Sequence, residues 1–164
     1  ISPEKLKFSS YNEGENKELE TKVKVTRTPT IAILDKDGNF AGLKYSSLPS
    51  GHELNSFILG LYNVAGPGQK VASESLEKIK KINKPINIKI GVSLSCTKCP
   101  KTVQATQRIA TLNKNVEMEM INIFTFQDFK NRYDIMSVPA IIVDDQHIYF
   151  GEKTVEDMLE IINK

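Results

Sequence analysis

Two cysteines, Cys96 and Cys99, are the residues of this chain best suited to covalent chemistry. They form one C-x-x-C pair, and the sequence contains no other cysteine. A structural zinc site needs four ligands, and the two histidines, His52 and His147, do not have the spacing of zinc ligands. The pair is therefore interpreted as a redox centre that alternates between a dithiol and a disulfide.

The elements around the pair would present one sulfur at the start of a helix. The apolar segment 86–94 predicts a strand, and the apolar stripe after the cysteines predicts a helix. Pro100 suits the first turn of that helix, because backbone amides there have no helical acceptor. Free N–H groups at a helix start stabilise a thiolate. Cys96 is thus the expected attacking sulfur, and Cys99 the sulfur that resolves the mixed disulfide.

A proline further along the chain supports the same chemistry. Pro139 follows Val138 directly before a predicted strand. The predicted elements around and after the cysteines have the order β-α-β-α-β-β-α, which is that of a thioredoxin-like domain, and such domains place a cis-proline beside their dithiol. We expect Val138 and Pro139 to contact substrate, together with Thr97 and Lys98 between the cysteines. The other interpretation of Pro139 is a plain proline at the start of a strand.

An internal repeat predicts two copies of one small fold. The segment T-P-T-I-A-I-L-D at 28–35 matches V-P-A-I-I-V-D at 138–144, and each copy precedes an acidic turn, a short strand and a closing helix. We expect an α/β protein of two fused thioredoxin-like (glutaredoxin-like) folds. Residues 1–84 form the first unit, which lacks active-site cysteines, and residues 85–164 form the second, which carries the redox pair. The first unit, with a predicted strand over 5–11, is incomplete at its start: either this copy is degenerate or it begins upstream of this chain.

Composition and charge argue against two classes of partner. The chain has 164 residues and a formal net charge of +2, which does not indicate an electrostatic nucleic-acid binder. No apolar run reaches the roughly 18 residues of a membrane helix. The chain does not open with a basic segment followed by an apolar one, as a secretory signal would. We expect a cytoplasmic protein that binds neither nucleic acid nor membrane.

The active-site segment supports a more specific assignment. The run S-L-S-C-T-K-C-P-K-T-V-Q-A at 93–105 resembles the N-terminal domain of the alkyl hydroperoxide reductase F subunits. The resemblance covers roughly residues 23–164 and includes R-T-P at 27–29, G-H-E at 51–53, F-Q at 126–127 and V-P-A at 138–140. In that family the domain consists of two fused thioredoxin-like folds, and only the second carries the dithiol.

The resemblance implies a relay of electrons. A flavin-dependent NAD(P)H–disulfide reductase would reduce the Cys96–Cys99 pair, which would then reduce a two-cysteine peroxiredoxin. FAD and NADH are expected on the reductase partner or on domains absent from this chain, and no cofactor or metal is expected on the chain itself. The flavin and nicotinamide domains of the family are not present here, so the chain is either an excised domain of such a reductase or a stand-alone relative.

The resemblance also points to Glu53 as a carboxylate that the first unit contributes to the site. A buried glutamate has a raised pKa, which suits it to exchange a proton with Cys99. The residues themselves allow another interpretation, because Ser50-x-x-Glu53 has the pattern of a helix capping box.

Two further functions stay open at this point. The first is a general protein disulfide oxidoreductase or glutaredoxin-like reductase, acting on glutathione or on misfolded proteins. The second is a binding module without catalysis, in which the dithiol holds a soft metal ion.

Overall fold

The computed structural model describes residues 6–163, which form a mixed α/β fold. This confirms the predicted α/β class. The predicted strand over 5–11 is wrong for residues 6–11, which have irregular structure, and Lys5 lies outside the described residues. The elements are α1 (Lys17–Lys22), β1 (Thr30–Leu34), β2 (Phe40–Ser46), α2 (Glu53–Ala65), α3 (Ser73–Lys80), β3 (Ile86–Val92), α4 (Cys99–Leu112), β4 (Val116–Asn122), α5 (Gln127–Arg132), β5 (Ala140–Val143), β6 (His147–Phe150) and α6 (Val155–Ile162).

The strands form one six-stranded sheet in the order β1-β2-β4-β3-β5-β6. β2 and β3 both run parallel to β4, while β1, β5 and β6 pair with their neighbours in antiparallel fashion. The pairing of β2 with β4 joins the two halves of the chain into a single sheet. The division into units at 84/85 stays a prediction.

Side chains alternate between the two faces of the sheet, as strand geometry requires. One face packs against α2, α3, α4 and α6 and contains the larger apolar core, with Leu43, Tyr45, Ile88, Ile90, Met118, Met120 and Ile141 among its members. The other face carries a smaller cluster: Ile121, Ile123, Phe126, Phe129, Ile135, Ala140 and Ile142. None of the helices in the described part of the chain is both long and apolar enough to span a bilayer.

A buried ionic network fixes β2 against β4. Lys44 lies opposite Glu119 in the register of the two strands, and both residues are buried. The Glu119 carboxylate accepts a hydrogen bond from Ser46 Oγ (2.6 Å) and from Arg27 Nη1 (3.0 Å), and it lies 3.5 Å from Lys44 Nζ. A buried carboxylate is tolerated when such partners compensate for the water it has lost. We call these four residues the ionic seam.

The topology brings several loops to one edge of the sheet. Because β2, β3 and β4 are parallel, their carboxyl ends lie at the same edge, and antiparallel β5 begins there. The loops at 47–52, 93–98 and 123–126 leave this edge, and the loop at 133–139 returns to it. The helices α2 and α4 follow β2 and β3, so both begin at this edge and run in the same direction.

Candidate active site

The two cysteines form a disulfide at the start of α4, with their Cα atoms 5.5 Å apart. Cys99 is the first residue of the helix and is fully buried. Cys96 precedes the helix and is partly exposed. A partner molecule can therefore reach Cys96 directly, whereas Cys99 is reached only from within the protein.

The start of the helix provides a hydrogen-bond donor to the exposed sulfur. The backbone N–H of Cys99 lies 3.1 Å from Cys96 Sγ. Pro100 occupies the first turn without loss, since no helical acceptor is available to an amide there. In the reduced protein the same N–H group and the helix dipole would favour a thiolate on Cys96.

The peptide bond between Val138 and Pro139 is cis, as expected from the sequence. It places the Val138 carbonyl oxygen 4.0 Å from Cys96 Sγ. Val138 is half-buried and Pro139 is buried, directly before β5. The Thr28–Pro29 bond before β1 is also cis, so the repeat seen in the sequence extends to the backbone.

Thr97 and Lys98 lie between the two cysteines, and both are exposed. Lys98 is the N-cap residue of α4. Lys101, one turn further on, forms an ion pair with Glu152 at 2.8 Å on the surface. Glu152 and solvent therefore largely compensate the charge of Lys101, and an exposed pair of this kind contributes little to stability.

Glu53 is the first residue of α2, and its side chain is fully buried. Within residues 6–163, neither of its carboxylate oxygens has a hydrogen-bond partner. Burial raises the pKa of Glu53 from 4.5 to about 7, and the nearby Ser56 hydroxyl acts in the opposite direction. The capping-box interpretation is wrong: the N-cap is His52, whose side chain makes no cap bond, and the Glu53 amide donates to the Ser50 carbonyl (3.1 Å).

The segment before α2 lies against the loop that leads into the disulfide. The backbone N–H of His52 donates to the carbonyl oxygen of Leu94 (3.1 Å), two residues before Cys96. Gly51 makes this approach possible, because it has a φ of +55° and a Cβ there would lie 2.4 Å from the same oxygen. The start of α2, and with it Glu53, is thereby held against the loop that leads into α4.

Two exposed apolar residues lie on loops at the same sheet edge as the disulfide and were missed by sequence reasoning. Phe124 is 65% exposed and follows β4, while Met136 is 84% exposed and precedes β5. Both strands are neighbours of β3, after which Cys96 lies, and neighbouring strands are about 4.8 Å apart. The loops that carry these two residues therefore lie on either side of the strand that leads to Cys96. We call these two residues the apolar flanks.

The described residues contain no group of three or more His, Cys, Asp or Glu side chains arranged to hold a metal ion. The polar groups near the disulfide are instead suited to thiol and proton chemistry. They comprise one accessible sulfur, one buried sulfur and a backbone donor, and α2, which begins at the same sheet edge, carries a buried carboxyl group.

Comparison with known proteins agrees with this geometry. Residues 86–163 match the family model described as "Thioredoxin domain". The alkyl hydroperoxide reductase F subunit of Staphylococcus epidermidis is 33% identical over 139 residues, which are 85% of this chain and 27% of that protein. The chain thus spans about a quarter of the length of the curated relatives that it matches.

A solved structure matches over a larger share of both chains. The crystal structure of the NTD_N/C domain of alkylhydroperoxide reductase AhpF from Enterococcus faecalis is 38% identical, with a TM-score of 0.90 over 94% of this chain and 74% of that one. A protein disulfide oxidoreductase from Aeropyrum pernix has a TM-score of 0.81 at 21% identity, covering 91% of this chain and 64% of that one. The second likeness concerns the fold alone, and together the two confirm a thioredoxin-like architecture.

Proposed function

We propose, since this chain belongs to the family of the N-terminal domain of the alkyl hydroperoxide reductase F subunits, that it is a dithiol–disulfide oxidoreductase. One observation carries the proposal. The accessible sulfur of Cys96 lies at a helix start, with the Cys99 amide 3.1 Å away and the Val138 carbonyl 4.0 Å away. This arrangement presents one reactive sulfur to a partner and keeps the second sulfur behind it.

The reaction consists of two thiol–disulfide exchanges. In the reduced protein the Cys96 thiolate attacks a disulfide of the partner, a mixed disulfide forms, and the partner's first sulfur leaves as a thiolate. Cys99 then loses its proton and attacks the Cys96 sulfur, which releases the partner's second thiolate. The partner gains two electrons, one of its thiolates can take up the proton lost by Cys99 and the other a proton from solvent, and the Cys96–Cys99 disulfide is left for a reductase to reduce.

The helix start affects the two steps unequally. A thiol of pKa about 8.5 is roughly 3% ionised at pH 7 and one of pKa about 7 is roughly 50% ionised, a gain of about 16-fold in thiolate. Lower basicity makes the thiolate less nucleophilic, with a slope of about 0.4–0.5, so the net gain in attack is only about threefold. The larger benefit comes when Cys96 acts as the leaving group in a later exchange.

Glu53 serves the second step in this proposal. Apolar burial disfavours the thiolate form, so attack by the buried Cys99 requires a base. With a pKa of about 7, Glu53 is about half ionised at neutral pH, which allows it both to accept and to release a proton. Val138, Pro139, Thr97 and Lys98 would contact the partner around Cys96.

The partners proposed are those that the family implies. A two-cysteine peroxiredoxin would accept the electrons, and a flavoprotein disulfide reductase, as a further domain or a separate chain, would supply them from NADH through FAD, in the cytoplasm. The apolar flanks support a protein partner, because large exposed apolar residues beside a reactive group are typical of interaction surfaces. These cofactors would be bound by the reductase and not by this chain.

A single-turnover experiment tests the proposal. The protein is reduced, freed of reductant and mixed with the oxidised two-cysteine peroxiredoxin of the same source, and thiols are followed with time. A glutathionylated peptide is the parallel substrate, and Cys96→Ser is the inactive control. We expect fast transfer to the peroxiredoxin and little to the peptide. Equal or faster transfer to the peptide would instead establish a general disulfide reductase or glutaredoxin-like enzyme.

A further inference from the structure

A fully buried polar track lies between the active-site helix and the first half of the chain. It consists of Tyr45 from β2, Ser56 from α2 and Gln107 from α4, all with no exposed surface. Gly60 of α2 leaves room for the track, because a Cβ there would lie 2.2 Å from the Tyr45 hydroxyl and 3.4 Å from Gln107 Oε1. Their hydrogen bonds join β2, α2 and α4 inside the core.

Gln107 is the centre of the track. Its Oε1 accepts a hydrogen bond from the Tyr45 hydroxyl (2.7 Å), and its Nε2 donates to the backbone carbonyl of Ser56 (3.1 Å). The tyrosine hydroxyl thus determines which way the amide points, with its donor directed at α2. A buried amide that loses such partners costs about 1–3 kcal/mol, so the arrangement resists displacement.

These bonds set the position of α2 along α4. The two helices run in the same direction, with His52 bonded to Leu94 in the loop before α4 and Ser56 bonded to Gln107 further along. Glu53 lies one turn before Ser56, at the start of α2, which begins at the sheet edge where Cys96 and Cys99 also lie. A slip of one helical turn would move its carboxyl group by about 5.4 Å along the helix axis.

We propose that Gln107, oriented by Tyr45, is a positioning residue that holds the Glu53 carboxyl group unpartnered beside Cys99. The proposal rests on the proposed function of Glu53 as proton acceptor. Gln107 donates from Nε2 to the backbone carbonyl of Ser56, and neither Glu53 oxygen has a hydrogen-bond partner in residues 6–163. The Gln107 side chain therefore positions the Glu53 carboxyl group without donating a hydrogen bond to it.

Two side chains that are neutral near pH 7 act on Glu53: the Ser56 hydroxyl from its own helix and the Tyr45 phenol from β2. From α4, the amides of Gln104 and Gln107 donate to Ser56. Burial and the nearby Glu53 raise the pKa of Tyr45, which keeps the phenol protonated. The Cys99 thiol also titrates in the reduced protein, so a bend near pH 7 is assigned to Glu53 only if Glu53→Gln removes it.

The resolving step can be measured directly with 5,5′-dithiobis(2-nitrobenzoate). One equivalent reacts with the reduced protein in two phases. Cys96 first attacks the reagent and releases one aryl thiolate. Cys99 then passes its proton to Glu53, attacks the Cys96 sulfur and releases the second. The rate of the second phase is recorded from pH 5 to 9.

For the wild-type protein, we expect the plot of second-phase rate against pH to bend near pH 7. In Gln107→Met the second phase should slow by about tenfold to a hundredfold, as for a displaced catalytic group, and the bend should leave this region. Tyr45→Phe should also move the bend away from pH 7. This variant tests the same hydrogen-bond network with a milder change. Thr106→Val is the matched control, because Thr106 is equally buried but its hydroxyl donates within α4, to Thr102.

The outcomes separate this inference from the proposal on which it rests. Glu53→Gln should abolish the bend and slow the second phase about a hundredfold. If it does, while Gln107→Met and Tyr45→Phe keep the wild-type bend, the positioning role is wrong and the function of Glu53 stands. If Glu53→Gln itself keeps the bend, the proton-acceptor role fails and the inference fails with it.

Discussion

Replacement of Glu53 by Gln should make the oxidised protein more stable at pH 8 but not at pH 4. The buried carboxyl group has no hydrogen-bond partner among the described residues, and its pKa is raised to about 7. The unfolded chain ionises this group near its ordinary value of 4.5. The folded protein therefore holds the proton more tightly than the unfolded chain, and its stability falls as the pH rises from about 4.5 to above 7.

The size of this effect follows from the two pKa values. A difference between 4.5 and about 7, at 1.36 kcal/mol for each tenfold change in affinity, corresponds to about 3 kcal/mol of unfolding free energy. Glutamine has nearly the same shape and does not ionise, so the variant does not lose this unfolding free energy as the pH rises. The gain of Glu53→Gln over wild type should be absent at pH 4 and approach about 3 kcal/mol at pH 8.

Urea denaturation of the oxidised proteins at pH 4, 6 and 8 measures the difference, because the titration of the other groups is common to both. Glu119→Gln is the matched control. Glu119 is also buried, but its carboxylate has partners in Arg27, Lys44 and Ser46, so the variant should be less stable than wild type at pH 8. If the difference in unfolding free energy between wild type and Glu53→Gln does not change with pH, the idea of a dry site without hydrogen-bond partners for Glu53 is refuted.

Three other predictions concern the remaining features. Cys99→Ser should trap a mixed disulfide between Cys96 and the partner, visible on a non-reducing gel, whereas the double variant lacking both sulfurs should trap nothing. Phe124→Ser together with Met136→Ser should slow transfer to a protein partner about tenfold or more while leaving the first phase with the aryl disulfide unchanged, since the apolar flanks touch only a large substrate; equal slowing of both would argue against a docking role. Arg27→Met should destabilise the protein by about 3–5 kcal/mol in urea, because it removes a partner of the buried Glu119; a loss below about 1 kcal/mol would mean that the ionic seam tolerates an open position.

The parts of the site that depend on local pattern could be predicted from the sequence. The position of the disulfide at a helix start follows from an apolar strand, two cysteines and Pro100, which are neighbours in the chain. The cis bond before Pro139 was expected from the order of elements around it. The first feature depends on residues within a short stretch, where backbone sterics dominate, whereas the second was expected from the fold that the order of elements indicated.

The remaining features depend on contacts between distant segments. Ser50-x-x-Glu53 satisfies the pattern of a capping box, yet α2 begins at Glu53, where the backbone of His52 binds Leu94. The burial of Glu53 follows from that tertiary contact and has no local signal. The apolar flanks likewise look like ordinary loop residues until the strand order places their loops on either side of the strand that leads to Cys96.

The pairing of β2 with β4 has a consequence for any attempt to isolate the redox half of the molecule. Residues 85–164 alone would keep the C-x-x-C pair, but β4 would become an open edge with unpaired N–H and C=O groups. Glu119 would also lose the neighbours that compensate its charge. Open edges invite pairing between chains, so such a fragment should aggregate. In this view the half without cysteines also acts as an edge protector, which keeps the redox half from pairing with its own copies.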